Sequence, residues 1–142
     1  PVTSAEKSEA ARWVDDASRV SFRSIGDMIY CYDKDVVADV EALSDSLTVI
    51  YSGVSMGQIF KGKLKPEHPL ALYVGLNAEV VSRVELDEAT AISYLRRQDI
   101  SAEGMTEGIN LVCYKSLPIG FVKRIGMRCN NMYPKDLRIL KQ

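Results

Sequence analysis

Residues 108–134 read GINLVCYKSLPIGFVKRIGMRCNNMYP, and this stretch decides the fold class. Ile109 to Tyr114 is an apolar run of strand length. Lys115-Ser116-Leu117-Pro118 predicts a turn, because Pro118 has no N–H to give to a ladder. Ile119-Gly120-Phe121-Val122-Lys123 reads as the returning strand. Beyond Gly126 come Cys129-Asn130-Asn131-Met132-Tyr133-Pro134, then a short end with Leu137, Ile139 and Leu140 as apolar anchors.

Strands and short helices continue towards the N-terminus. Val80, Val81, Val84 and Leu86 are strand-like, and Asp87 caps a helix over Glu88 to Arg97 in which Ala89, Ile92 and Leu95 form one stripe. Ser101 to Gly108 is a polar loop. Pro66 or Pro69 opens a helix through Leu70 to Leu76, with His68 at its start, since proline is tolerated in a first turn. Leu47 to Tyr51 and Gln58-Ile59-Phe60 read as strands, and Asp35 to Leu47 as an amphipathic helix. Val20 to Ile25 and Met28 to Tyr32 form a hairpin around Gly26-Asp27. Ser4 caps an N-terminal helix that carries Trp13, the only tryptophan. Gly53 to Lys61 and Ser116 to Lys123 echo one another faintly, as two similar hairpins in one barrel would. Short strands broken by short helices disfavour a doubly wound parallel sheet. The expectation is an α+β fold.

Composition sets the outer limits. The chain has 142 residues, 46% apolar and 26% charged, which excludes a disordered tail and a disulfide miniprotein. No apolar run approaches the roughly 18–20 residues needed to span a bilayer. Pro1 to Asp16 lacks the basic start and apolar stretch of a secretory signal. Cys31, Cys113 and Cys129 are odd in number and widely spaced, which favours a reducing, cytoplasmic setting over zinc or disulfide frameworks. Net charge is −1, yet residues 1–47 hold ten acids against five bases, and residues 48–142 hold thirteen bases against nine acids. An acidic front and a basic back suggest one face kept for a polyanion.

Catalytic and metal signals are weak. His68 is the single histidine and has no carboxylate pair at helical spacing beside it. Cys113 sits in an apolar strand and reads as core. Cys129 lies in a basic stretch that would lower its pKa, but a cysteine without a partner base is a poor nucleophile signal. No dinucleotide or P-loop motif occurs, nor a glycine-rich strand-to-helix turn suited to S-adenosylmethionine. The basic segments say more. Lys61, Lys63 and Lys65 alternate, so on an extended strand they share one side. Lys123, Arg124 and Arg128 flank Gly126, and Asn130-Asn131 precede Tyr133. Cations for phosphate, amides for base edges and an aromatic face suit folded RNA. Asn130-Asn131 as a turn and Tyr133 as a buried anchor are the competing readings.

Gly108 to Val112, Leu117 to Lys123 and Asn130-Asn131-Met132-Tyr133-Pro134-Lys135-Asp136-Leu137-Arg138 together resemble the end of RsmF-type (Fmu/Sun-like) rRNA cytosine-C5 methyltransferases. Val49 to Gly57, Lys61 to Leu72 and Ala89 to Ile100 fit the same domain, so the resemblance covers about 48–142. It implies a PUA-like mixed β pseudo-barrel with short peripheral helices over 48–142. Residues 1–47, a helix, hairpin and helix, would be part of a connecting subdomain. It also implies that catalysis and S-adenosylmethionine belong to an upstream methyltransferase domain. None of that domain's motifs is in this chain, which is expected to be non-catalytic and to bind no cofactor itself.

The leading expectation is an RNA-binding module, cytoplasmic and without a membrane role, that positions a methyltransferase on small-subunit rRNA during ribosome biogenesis. Its contact residues are Lys61, Lys63, Lys65, Lys123, Arg124, Arg128, Asn130, Asn131, Tyr133, Lys135 and Arg138. The alternative is a protein-interaction module docking a catalytic domain or an assembly partner, which predicts an exposed apolar patch on residues 1–47. An enzyme built on Cys129 is the third reading.

Overall fold

The computed structural model describes residues 2–35 and 53–140. The chain divides into two compact units, Pro1–Asn77 and Ala78–Gln142. This boundary differs from the one expected at 47/48, because the strands of 54–66 pair with the N-terminal hairpin and not with the C-terminal sheet. The expected helix over Asp35 to Leu47 and the strand at Leu47 to Tyr51 lie outside the described residues, apart from Asp35.

The first unit opens with α1 (Ser4–Ala11). Its cap is Thr3, one residue before the expected Ser4. The Thr3 side chain accepts from the Glu6 amide while the Glu6 carboxylate accepts from the Thr3 amide, a reciprocal capping box. A four-stranded sheet follows in the order β1 (Val20–Ile25), β2 (Met28–Asp33), β3 (Val54–Phe60) and β4 (Lys63–Pro66), antiparallel throughout. Period-two burial works as expected. Ile29 and Cys31 point inward from β2, and Leu64 and Pro66 from β4. The short helix α2 (His68–Leu72) starts at His68, with Pro69 in its first turn, and buries Leu70 and Ala71. Glu9 ties α1 to β4 and is the one charged residue among the buried side chains of the described chain. Its carboxylate accepts from the Leu64 amide at 2.8 Å and from the Trp13 indole, and pairs with Arg12.

The second unit is a mixed sheet packed on one helix. β5 (Ser82–Glu85) runs parallel to β6 (Gly108–Tyr114), with α3 (Glu88–Leu95) as the crossover. Strands β7 (Leu117–Ile125) and β8 (Arg128–Asn131) complete the sheet in antiparallel pairing. Asp87 caps α3, accepting from the Thr90 amide at 2.7 Å. Tyr94 of α3 packs with Val112, Val122, Cys129, Ala102 and Met105 in the core. The fully buried Asn110 fastens the 101–108 loop to β6, accepting from the Thr106 amide and donating to the Thr106 and Gly108 carbonyls.

The expected α+β class is present. Among the described residues the strands form two open four-stranded sheets and no closed barrel, and the two hairpins of the internal echo lie in different sheets. Pro118 departs from its expected place. The turn between β6 and β7 is only Lys115-Ser116, both at positive φ, as in a type I′ hairpin. Pro118 lies inside β7 opposite Cys113, where the register shifts; a bulge tolerates the missing N–H.

Candidate nucleic-acid interface

Strand register sorts the expected contact residues. Lys123 of β7 stands opposite Asn130 of β8, and Ile125 opposite Arg128. Residues at i and i+2 share a face, so Lys123, Arg128 and Asn130 project from one side of the β7–β8 hairpin, and all three are exposed. No hydrogen bond or ion pair holds their side chains among the described residues. Leu111 and Phe121, farther along the same face, are buried, so the accessible part is the hairpin end.

Arg124, Cys129 and Asn131 occupy the opposite face, towards α3. The Arg124 guanidinium donates to the Gly126 carbonyl at 2.8 Å and to the Met105 carbonyl, clamping the hairpin turn to the 101–108 loop. The Asn131 amide donates to the Tyr94 and Gln98 carbonyls at 2.8 and 3.1 Å, and its oxygen accepts from the Tyr133 amide at 2.8 Å. Tyr133 is half-buried. Its ring lies 5.4 Å from that of Tyr94 and packs against the core cluster, so it is an anchor, not an open stacking platform. All three are committed to holding the fold.

The terminal cations fall elsewhere. Lys135 and Arg138 are exposed around a short 3-10 turn, Lys135–Leu137. The Ile139 amide donates to the Leu95 carbonyl at 2.9 Å, which brings this segment to the C-terminal end of α3. Arg96 and Arg97 follow there, and the Arg97 guanidinium donates to the Tyr133 carbonyl. The sequence reading passed over these two arginines. Cations at a helix C-terminus complement its dipole, and the Leu95-Arg96-Arg97 run carried that signal.

Lys61, Lys63 and Lys65 belong to the first unit. Lys63 and Lys65 alternate with buried Leu64 and Pro66 on β4, so they do share an exposed side. Lys61 does not belong to that row. It sits in the β3–β4 turn at φ +51°, with its ammonium 5.5 Å from the Phe60 ring centre.

Cys129 also departs from expectation. Burial first, and then the nearby Asp99 carboxylate, push its thiol up from the ordinary value, the reverse of what a basic stretch predicts. The adjacent bases that suggested activation project from other positions: Arg128 faces the opposite side and Arg124 is held on carbonyls. No group of three or more His, Cys, Asp or Glu residues suited to a metal occurs among the described residues.

Against this geometry, residues 81–139 match the methyltransferase RsmF PUA domain, and the match lies wholly within the second unit. Residues 81–139 are similar to an RsmF-type PUA domain. The chain is 32% identical to the ribosomal RNA small subunit methyltransferase F of Shewanella loihica over 87 residues, 60% of this chain and 17% of that protein. It is 27% identical to the Erwinia tasmaniensis protein of the same name over 101 residues, covering 70% of this chain and 21% of the relative. The Serratia proteamaculans counterpart is 26% identical over 113 residues, 77% and 23% respectively. The chain therefore spans about a fifth of the length of the curated relatives it matches. The matched residues include the β7–β8 face with Lys123, Arg128 and Asn130, and the basic end of α3.

S-adenosylmethionine, which such methyltransferases imply, does not fit the described junctions of β4 with α2 and β5 with α3. The strand-to-helix junctions Pro66 to His68 and Glu85 to Glu88 contain no glycine-rich turn that brings backbone amides onto a cofactor. No methyl-transfer step is assigned to these residues.

Proposed function

We propose that the PUA domain binds RNA and positions a cytosine-C5 methyltransferase domain on small-subunit rRNA, S-adenosylmethionine being held by that other domain. The observation that carries this reading is the unpartnered trio Lys123, Arg128 and Asn130 on one face of the β7–β8 hairpin of an RsmF-type PUA domain. Two cations neutralise phosphates, and an amide beside them can pair with an exposed base edge. The basic end of α3, with Arg96, Lys135 and Arg138, extends the field along the same unit. Lys63 and Lys65 supply a second cationic row on the first unit. The setting proposed with this partner is the cytoplasm, and the process ribosome biogenesis. No helix among the described residues is long and apolar enough to cross a membrane.

The protein-docking alternative required an exposed apolar patch on residues 1–47. Among the described residues, the large exposed hydrophobics of the first unit are Phe60, Leu72 and Val74, none of them in that stretch.

Binding of the full chain to small-subunit rRNA fragments across a salt series tests it. Each neutralised phosphate contributes about 0.7–0.9 to the slope of log affinity against log salt. The Lys123→Ala/Arg128→Ala variant is expected to lose close to two such contacts. A slope near zero for the native chain, or one unchanged in the double variant, refutes the reading.

A further inference from the structure

A cleft of about 360 Å³ runs along the free edge of β8. Its volume falls in the range of small-ligand pockets, roughly 300–1,000 Å³. One wall is the segment after α3, with Asp99, Ile100 and Ser101; the other is the β7–β8 hairpin, with Met127, Arg128 and Asn130. Two members of the proposed RNA face, Arg128 and Asn130, therefore open onto a concave site and not only onto flat surface. Because β8 is an edge strand, its outward backbone N–H and C=O groups also face the cleft without a neighbouring strand.

The polar groups differ in kind. Asp99 only accepts hydrogen bonds, and no salt bridge neutralises it among the described residues. Its proximity to Cys129 places its charge at the cleft. Arg128 only donates, whereas Asn130 and Ser101 do both. Met127, 94% exposed at the hairpin turn, offers an apolar lip with Ile100 behind it. An exposed methionine beside a polar cleft is placed to cover the flat face of a planar ligand.

Resting on the RNA-binding reading above, we infer that this cleft takes one unstacked guanine of the RNA. Guanine alone among the four bases presents two adjacent N–H donors, N1–H and the N2 amino group, to a single carboxylate. Asp99 accepts both. The O6 and N7 acceptors on the opposite side of the ring receive the Asn130 amide or the Arg128 guanidinium, the pairing that arginine makes with guanine elsewhere. The base face lies against Met127, and extruded bases in single-stranded or looped RNA are the form that proteins read on these edges.

The test measures binding of the full chain to four single-stranded pentamers, UUGUU, UUAUU, UUCUU and UUUUU, beside the rRNA fragments, at low salt. UUGUU is expected to bind at least about tenfold more tightly than the others, the discrimination one bidentate pair supplies. Asp99→Asn is expected to abolish that preference while leaving the salt slope on rRNA unchanged, and Met127→Ser to weaken all four pentamers. Equal binding of the four, a preference indifferent to Asp99→Asn, or binding of rRNA with no pentamer bound overturns the guanine site alone. Absence of binding to rRNA and pentamers alike overturns both this site and the RNA reading beneath it. Circular dichroism of each variant against the native chain separates misfolding from loss of a contact.

Discussion

The hydroxyl of Tyr94 occupies the space where a side chain at Gly120 would begin. A Cβ at Gly120 would lie 2.0 Å from that oxygen, and the hydroxyl donates to the Phe121 carbonyl at 2.8 Å. Helix α3 is thus seated on β7 through one tyrosine that needs a glycine beneath it. Gly120→Ala is expected to displace the ring and break the hydrogen bond, costing roughly 1–3 kcal/mol by overpacking. Tyr94→Phe, which loses only the hydrogen bond, is expected to cost about 1 kcal/mol. The double variant should cost less than the sum, because removing the hydroxyl relieves part of the clash. Urea denaturation of the four proteins measures this; strict additivity contradicts it.

Strand parity separates binding from stability within one hairpin. Lys123→Ala and Arg128→Ala should each reduce the RNA salt slope by about one contact, with stability changed by less than roughly 0.5 kcal/mol, as for exposed positions generally. Arg124→Ala and Asn131→Ala should do the opposite. Arg124→Ala removes a donor from the carbonyl of buried Met105, and Asn131→Ala one from the carbonyl of half-buried Gln98; each is expected to cost about 1–3 kcal/mol. Denaturant midpoints and RNA titrations of the four variants decide it.

Acid should loosen the first unit through Glu9. Burial alone would raise its pKa, but the Leu64 amide, the Arg12 guanidinium and the Trp13 indole together hold it below the ordinary value of 4.5. A carboxylate with a depressed folded pKa contributes its full stabilisation above the unfolded value. That contribution is lost as pH falls through the folded value, since the unfolded chain takes the proton first. Stability should therefore decline below about pH 4.5, and Glu9→Gln should flatten that limb while lowering stability at neutral pH. Thermal midpoints from pH 7 to pH 3 test the sign.

The three thiols should be slow to react. Burial pushes the Cys31 thiol up to about 11, and burial with the Asp99 carboxylate raises Cys129. Cys113 is fully buried. Since the thiolate is the nucleophile, a disulfide reagent at pH 8 should label all three far more slowly in the native chain than in denaturant. Rapid native labelling of Cys129 would reopen the reading of it as a reactive cysteine.

Much of the architecture was legible because local chemistry dictates it. The β1–β2 hairpin follows from alternation on either side of Gly26-Asp27, and α3 from the Asp87 cap and its apolar stripe. The turn before β7 is shorter than expected, Lys115-Ser116 without Leu117-Pro118, because its two positive-φ positions are residues that do not announce that conformation. Where the chain divides into units is not a local property either. Whether Val54 to Phe60 pairs with what precedes or follows it depends on long-range pairing, which no local signal reports.

The candidate site shows the same division. The sequence by itself determined that the C-terminal stretch is basic and strand-rich, because charge and hydrophobic period are local properties of the chain. Only the tertiary structure decided which cations are free. Lys123 and Arg124 are neighbours in sequence, yet the pleat sends one to solvent and the other onto the carbonyls of Gly126 and Met105. Asn130 and Asn131 divide likewise, one opposite Lys123 and the other fastened to the end of α3. A period of two turns adjacent residues to opposite faces, and only the packing of α3 determines which face is closed.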